Sequence, residues 1–213
     1  MKFYLLNFGP QILTIILGLI SIRRLTLPYC LILFQILFSV FTDFFALQYL
    51  NFHSSNEVIY NIYLIVETSL LTSAIFYSIH SDKVKRIMGI TLIAFLFFVL
   101  FIFSKSSFLQ INYQLLITGF IIIAFSNLFY IINPSTEKSI LKNPFLIFAI
   151  SHVIYFLGVT PYFVARQMII TDSPEMEYTL FSYINMTLMI IRYSFCAFAF
   201  FIVLRKNIAL QVP

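Results

Sequence analysis

Three ionisable residues, Asp43, Glu67 and Arg192, lie inside long apolar stretches of the sequence. A charge in hydrocarbon is costly, so ionisable residues at such positions are usually paired with one another or have a function. Counted from the outer ends of their stretches, Glu67 and Arg192 both lie about 14 to 18 Å deep, at about 1.5 Å per helical residue. A carboxylate and a guanidinium at one depth predict a buried bidentate ion pair. Such a pair can be purely structural, joining two helices, or can belong to a functional site.

Asp43 has no evident cationic partner and is expected a little nearer the outer surface than Glu67. It shares one helix face with Gln35 and Ser39, because the three residues recur at steps of four. Similar polar faces on three other apolar stretches predict an outward-opening pocket, although any single polar group could merely join helices by a hydrogen bond. The predicted cluster consists of Asp43, Glu67, Arg192, Asn61, Asn185, Tyr60, Tyr63 and His152. His152 fits a buried core histidine as well as a proton carrier.

The composition excludes an ordinary water-soluble domain. Of 213 residues, 61% are hydrophobic and 10% are charged, and the mean hydropathy is +0.98, whereas soluble domains carry about 25% charged residues. The net charge of +5 comes from short loops beside apolar segments, so we expect no direct binding of nucleic acid. Two cysteines, Cys30 and Cys196, lie within or beside apolar stretches, which argues against a disulfide framework or a metal site.

Seven apolar stretches account for nearly the whole chain, and each is close to the roughly 20 residues that a membrane-spanning helix needs. They predict an all-α integral membrane bundle of seven helices, forming a single domain over residues 1–213 with no soluble domain. The predicted spans lie near 4–22, 27–50, 58–80, 87–104, 113–133, 145–169 and 180–204. Residues 21–24 offer no small-residue cleavage site, so the first stretch is expected to remain as a mature helix.

The basic residues are distributed unevenly over alternate loops. One face carries Arg23, Arg24, Lys83, Lys85, Arg86, Lys138, Lys142, Arg205 and Lys206, and the other carries Lys2 and Lys105, with Arg166 at its boundary. Because cytoplasmic loops are enriched in lysine and arginine, this bias predicts an outside N-terminus and a cytoplasmic C-terminus. The expected location is the cell inner (plasma) membrane, which the chain crosses several times.

Known intramembrane chemistries fit the sequence poorly. Retinal proteins need a lysine in the last helix, which here carries Arg192 instead. A zinc hydrolase needs several clustered histidines, but His53 and His80 fall beside loops on opposite sides and leave His152 alone. Membrane lysoplasmalogenases use paired aspartates, which Asp43 and Glu67 imitate only loosely. We therefore assign no catalytic residues, metal or cofactor, and an intramembrane lipid hydrolase is kept only as a third alternative.

Three short motifs carry a resemblance to a known group. They are Asn61-Ile-Tyr63-Leu-Ile-Val-Glu67, Asn143-Pro144-Phe145 and Tyr155-Phe-Leu-Gly158. With them, the chain resembles a group of small uncharacterised bacterial heptahelical membrane proteins over most of its length. The resemblance implies a seven-helix bundle that serves as a sensory or accessory partner of a signalling protein, and it supplies no catalytic residues.

Two functions from different classes remain open at this point. The first is a non-enzymatic membrane protein that senses a small ligand or serves as membrane accessory to a cytoplasmic signalling or defence partner. Its expected contact surface, besides the lipid bilayer, consists of Lys83, Lys85, Arg86, Lys138, Lys142, Arg205 and Lys206. The alternative is a transporter or pore built on Asp43, Glu67 and Arg192, including an accessory pore of a phage-defence system, and it allows a homo-oligomer.

Overall fold

The computed structural model describes residues 2–50, 53, 55–105, 108, 110–134, 143–169 and 174–205. In these residues the chain is all-helical, with seven α-helices, one short 3-10 turn and no strand. The helices are α1 (Lys2–Ser21), α2 (Leu27–Leu50), α3 (Glu57–Ser78), α4 (Asp82–Lys105), α5 (Tyr113–Ile132), α6 (Pro144–Ile169) and α7 (Pro174–Arg205). The expected all-α class is confirmed.

Several helices begin before the apolar stretch that predicts them. α4 begins at Asp82, so Lys83, Lys85 and Arg86, which the sequence placed in a loop, belong to its first turns. An acidic residue at a helix N-terminus is favourable because it faces the positive end of the helix dipole. α7 begins at Pro174, whose fixed backbone angle suits the first helical position. The apolar stretches therefore mark the parts of longer helices that lipid can cover.

Six of the described helices, α2 to α7, contain segments long and apolar enough to cross a membrane. Their side chains are distributed as lipid requires. Phe97 and Leu100 on α4 are exposed over 68% and 67% of their surface, whereas Gln35 on α2 is fully buried. Apolar surface of this extent would promote aggregation in water. The chain is a multi-pass membrane protein by these criteria, with its polar groups inside.

Six helices close a ring, and one lies outside it. The ring follows the order α1, α2, α3, α5, α6, α7, and α7 packs back against α1. α4 packs on the outer side of α3 and α5. The ring brings α2, α3, α6 and α7 around a common interior, which contains buried polar side chains such as Gln35, Glu67 and Arg192.

Most of the described basic residues collect at one end of the bundle, called here the basic end, whereas Lys105 ends α4 at the other. The guanidinium of Arg24, after α1, donates a hydrogen bond to the backbone carbonyl of Leu204 in the last turn of α7. α2 and α3 form an antiparallel pair, so the start of α4 lies at this end too. The basic end consists of Arg23, Arg24, Lys83, Lys85, Arg86 and Arg205. Lys138, Lys142 and Lys206, predicted on the same face, lie outside the described residues.

Candidate functional site: a buried polar network

Glu67 and Arg192 form the ion pair that their common depth predicts. Arg192 Nη2 lies 3.0 Å from Glu67 Oε1, and each side chain is only 3% exposed. The pair joins the middle of α3 to α7. In the described contacts it uses one nitrogen and one oxygen, so the bidentate geometry expected from sequence is not formed. The second acceptor of Arg192 Nη2 is instead Gln35 Oε1, at 3.2 Å.

Three donors converge on one oxygen of Glu67. In addition to Arg192, Gln35 Nε2 donates to Glu67 Oε1 at 2.8 Å, and the Tyr63 hydroxyl donates to the same atom at 2.8 Å. Gln35 Nε2 also lies 2.9 Å from the Tyr63 hydroxyl oxygen. Hydrogen bonds to a charged acceptor are stronger than those between neutral groups. The carboxylate is therefore held by α2, α3 and α7 together.

Aromatic rings cover the guanidinium of Arg192. Its Cζ lies 4.8 Å from the ring centre of Tyr155, 4.9 Å from that of Phe156 and 5.6 Å from that of Tyr193. A cation near the faces of desolvated rings gains roughly 2 kcal/mol from such an interaction. This covering joins α6 to the network and buries the ion pair, whereas the sequence predicts an outward-opening pocket.

A second group of polar residues attaches α1. The hydroxyl of Tyr193 lies 3.3 Å from Ser39 Oγ, and Gln11 Nε2 donates to that hydroxyl at 3.2 Å. Thr14 Oγ1 donates to the backbone carbonyl of Tyr193 at 2.8 Å. The cluster predicted from the sequence contains none of Gln11, Thr14 and Tyr193. The available signal was Gln11 itself, an amide in the middle of the mostly apolar α1.

Two of the remaining predicted residues lie about two helical turns from Arg192 and Gln35 along the same helices, toward the end opposite the basic end. Asn185 on α7 accepts a hydrogen bond of 3.0 Å from the Tyr155 hydroxyl, so it belongs to the outer edge of the network. Asp43 is half-buried on α2. The negative charge of Glu67 acts on it, but among the described contacts its carboxylate has no hydrogen bond or ion pair.

Asn61 lies on a different face of α3 and does not join the network. Its side-chain amide donates to the backbone carbonyls of Phe108 and Gln110, at 2.9 and 2.8 Å. These bonds attach the connection between α4 and α5 to α3. Tyr60, next to it, is 36% exposed. The predicted cluster is therefore divided, with Asn61 and Tyr60 outside its centre.

His152 lies inside the ring on α6 and is buried. Its Nδ1 lies 2.6 Å from the backbone carbonyl of Phe148. A carbonyl oxygen only accepts, so Nδ1 carries the proton and, in the neutral ring, Nε2 carries the lone pair. The imidazole of His152 stacks on the side chain of Phe156, with 6.2 Å between the ring centres. Phe156 also covers the guanidinium of Arg192. In the part of the chain that the structure describes, no group of three His, Cys, Asp or Glu side chains is placed to hold a metal ion.

The fold and the site together define a helical membrane protein with a closed, charge-paired polar network at its centre. Comparison with protein-family profiles, with curated proteins and with solved structures gives no match. The resemblance to small bacterial heptahelical proteins stays a prediction from sequence.

Proposed function

We propose that this chain is a non-enzymatic heptahelical membrane protein that senses a small ligand or serves as membrane accessory to a cytoplasmic partner. In this proposal α1 is the seventh span, and the basic end lies in the cytoplasm because basic loops are retained there. The N-terminus is then outside. The small heptahelical proteins that the sequence resembles are expected to share this organisation.

The observation that carries the proposal is the convergence of three donors from α2, α3 and α7 on Glu67 Oε1. A buried pair that loses one partner is strongly destabilised, so such a network favours one closed arrangement. A stimulus that weakens the network would release several helices of the ring together. Networks of this kind are suitable two-state elements, because packed interiors change between discrete arrangements.

The basic end is the surface that would transmit the change. Lys83, Lys85 and Arg86 lie at the start of α4, which follows α3, the helix that carries Glu67. Arg205 ends α7, the helix that carries Arg192, and Arg23 and Arg24 lie between α1 and α2. An acidic surface on a cytoplasmic protein is the complementary partner. Movement between α3 and α7 would change the spacing of these charges.

A distance measurement between spin labels tests the two-state element. Cys30 and Cys196 are replaced by alanine, and labels are attached at Tyr77→Cys on α3 and Arg205→Cys on α7, both at exposed positions. In lipid nanodiscs we expect Glu67→Gln to shift or broaden the distance distribution. Asp82→Asn, which removes an exposed carboxylate at the start of α4, is the matched control and should leave the distribution unchanged. An unchanged distribution in Glu67→Gln together with lower thermal stability would make the pair purely structural and reject the proposal.

The partner is tested separately with a photo-crosslinking amino acid in living cells. Placed at Lys85, it should give an adduct with a cytoplasmic protein whose yield changes in Glu67→Gln. Placed at Phe97 on the lipid-exposed side of α4, the same amino acid should give no adduct with that protein. If Lys85 gives no adduct, or one indifferent to Glu67→Gln, the accessory function is rejected.

Asp43 favours transport as a second candidate. Asp43, Glu67 and Arg192 give the interior one more negative than positive formal charge, and an uncompensated charge at such depth usually marks an ion or solute pathway. A transporter would require the covered ion pair to open. Transport would be supported by an ion or solute flux into proteoliposomes that is lost in both Asp43→Asn and Glu67→Gln but retained in Asp82→Asn. Absence of such a flux with the wild-type protein would reject transport.

A further inference from the structure

The basic end carries two separate groups of charges. Arg23 and Arg24 lie between α1 and α2, and Arg205 ends α7. Lys83 and Arg86 are exposed in the first turns of α4. The ring order places the contact between α1 and α7 opposite the contact between α3 and α5, where α4 packs. The three arginines and the charges of α4 are therefore on opposite sides of the bundle.

The three arginines lie close together, and their position is called here the arginine corner. Arg24 donates to the backbone carbonyl of Leu204, and Arg205 is the next residue of α7. Arg23 precedes Arg24 directly, and consecutive Cα atoms are only about 3.8 Å apart. Among the residues that the structure describes, none of the three arginines forms an ion pair with a carboxylate. The corner therefore gathers three positive charges without a described anion.

The arginine corner lies at the boundary between lipid-facing surface and water. Ile20 and Ile22, which come just before Arg23, are both exposed, and so is Phe201, one turn before Arg205. The Cζ of Arg205 lies 4.9 Å from the ring centre of Phe201. Its guanidinium is therefore folded back along α7, toward the apolar surface. Long basic side chains at such a boundary cover apolar surface with their stems and keep the charge at the headgroup level.

We propose that the arginine corner binds the headgroup of an anionic phospholipid. The planar fork of N–H donors on arginine fits phosphate oxygens, and in the described contacts Arg24 uses only one nitrogen for Leu204. Basic groups between membrane helices at the cytoplasmic side attract such headgroups. The exposed Ile20 and Phe201 would contact the acyl chains. An acidic protein would approach from the water, whereas Arg205 is turned toward the lipid.

The lipid would hold the connection between α1 and α2 against the end of α7. This site goes beyond the proposed sensor or accessory function and does not depend on it. The charges at the start of α4 stay available to a cytoplasmic partner. Because the tests below involve neither Glu67 nor Lys85, the lipid site and the proposed function can fail separately.

Native mass spectrometry of the delipidated protein in detergent micelles measures the binding. With phosphatidylglycerol and phosphatidylcholine added in equal amounts, we expect about tenfold tighter binding of phosphatidylglycerol to the wild-type protein. Inorganic phosphate in large molar excess should not displace the bound lipid, because it lacks acyl chains. Equal binding of the two lipids overturns the proposal. Displacement by inorganic phosphate would make this a site for free phosphate and also contradict the lipid.

Two double variants with the same loss of charge locate the site. Arg23→Gln with Arg205→Gln keeps the bond of Arg24 to Leu204, and we expect it to weaken phosphatidylglycerol binding about tenfold. Lys83→Gln with Arg86→Gln should change this affinity less than about twofold, because salt screens charges on the far side of the bundle. An equal loss in both variants would reflect net charge alone and contradict a local site.

A photo-crosslinking amino acid at Ile22 identifies the occupant in native membranes. Ile22 is exposed and lies next to Arg23. We expect adducts with the mass of an anionic phospholipid, enriched over the share of that lipid in the membrane. An adduct with a protein would give the corner to a protein partner and overturn the proposal. Lipid adducts in the same proportions as the surrounding membrane would also overturn it.

Discussion

Gln35 bridges the two members of the buried ion pair with its two amide atoms. Its Oε1 accepts from Arg192 Nη2 at 3.2 Å, and its Nε2 donates to Glu67 Oε1 at 2.8 Å. An amide is suited to this position because it carries both a donor and an acceptor and adds no charge. The bridge means that no member of the network can be altered without leaving another buried group unpaired.

Removal of either charge alone should therefore be costly. We expect Glu67→Gln to lower the free energy of unfolding by about 3 to 5 kcal/mol, because Arg192 then remains as an uncompensated buried charge. In Glu67→Gln combined with Arg192→Gln, the loss should be clearly smaller than the sum of the single losses. Equilibrium unfolding of the wild-type protein, the two single variants and the double variant in mixed micelles measures these losses. Additive losses would show that the two charges do not interact.

Tyr63→Phe removes one donor from Glu67 Oε1 and leaves the ring in place. A hydrogen bond to a charged group contributes about 1.5 to 3 kcal/mol, and we expect a loss of that size in the free energy of unfolding. Tyr77→Phe is the matched control, because Tyr77 is 50% exposed and the substitution therefore removes a hydroxyl from a surface residue. The same loss in both variants would indicate a general effect of removing a hydroxyl.

The seven helices and the Glu67–Arg192 pair could be predicted from sequence because both depend on distance along the chain. The length of an apolar stretch predicts which residues cross the membrane. The number of residues from the end of that stretch predicts how deep a side chain lies. The bridging role of Gln35 and the partners of Tyr193 could not be predicted, because they depend on which helices are neighbours. The polar stripes indicate which face of a helix points inward, but they do not reveal which neighbouring helix that face meets.

Asn61 illustrates the same limit at a single residue. Asn61 directly follows Tyr60, and the side chains of successive residues in a helix point in directions about 100° apart. The predicted cluster contains it together with Tyr63 and Glu67, but it faces the connection between α4 and α5 instead. The order of the ring, with α4 outside and α5 beside α3, decides what Asn61 contacts.

The close approach of α3 and α5 depends on Gly119. A methyl group added there would lie 2.7 Å from Thr68 Oγ1 and 3.2 Å from Leu64 Cδ1. We expect Gly119→Ala to lower the free energy of unfolding by about 1 to 3 kcal/mol, the usual cost of overpacking. At Gly89 the added methyl would meet only Phe76, at 3.8 Å. Gly89→Ala should therefore be neutral or stabilising, and a destabilisation as large as that of Gly119→Ala would contradict this account of the contact.

Asn61→Ala should release the connection between α4 and α5 without opening the centre of the ring. The variant loses both bonds to backbone carbonyls, so we expect faster hydrogen exchange at residues 110–112 while the amides around Glu67 keep their protection. Asn133→Ala is the control, because Asn133 is exposed and, among the described residues, its side chain bonds only the backbone carbonyl of Phe129 in the helix that it follows. Unchanged exchange at residues 110–112 in Asn61→Ala would show that other contacts hold the connection.

The proposed orientation predicts opposite accessibility at the two ends of the bundle. In a background without Cys30 and Cys196, single cysteines are introduced at Lys105 and at Arg205, which end α4 and α7 at opposite faces. Because basic residues are retained in the cytoplasm, a membrane-impermeant maleimide added to right-side-out vesicles should label Lys105→Cys, and Arg205→Cys only after the membrane is permeabilised. The reverse pattern would invert the topology and place the basic end outside the cell. Labelling of both cysteines in sealed vesicles would mean an even number of crossings between them, and the seven-span arrangement would then be wrong.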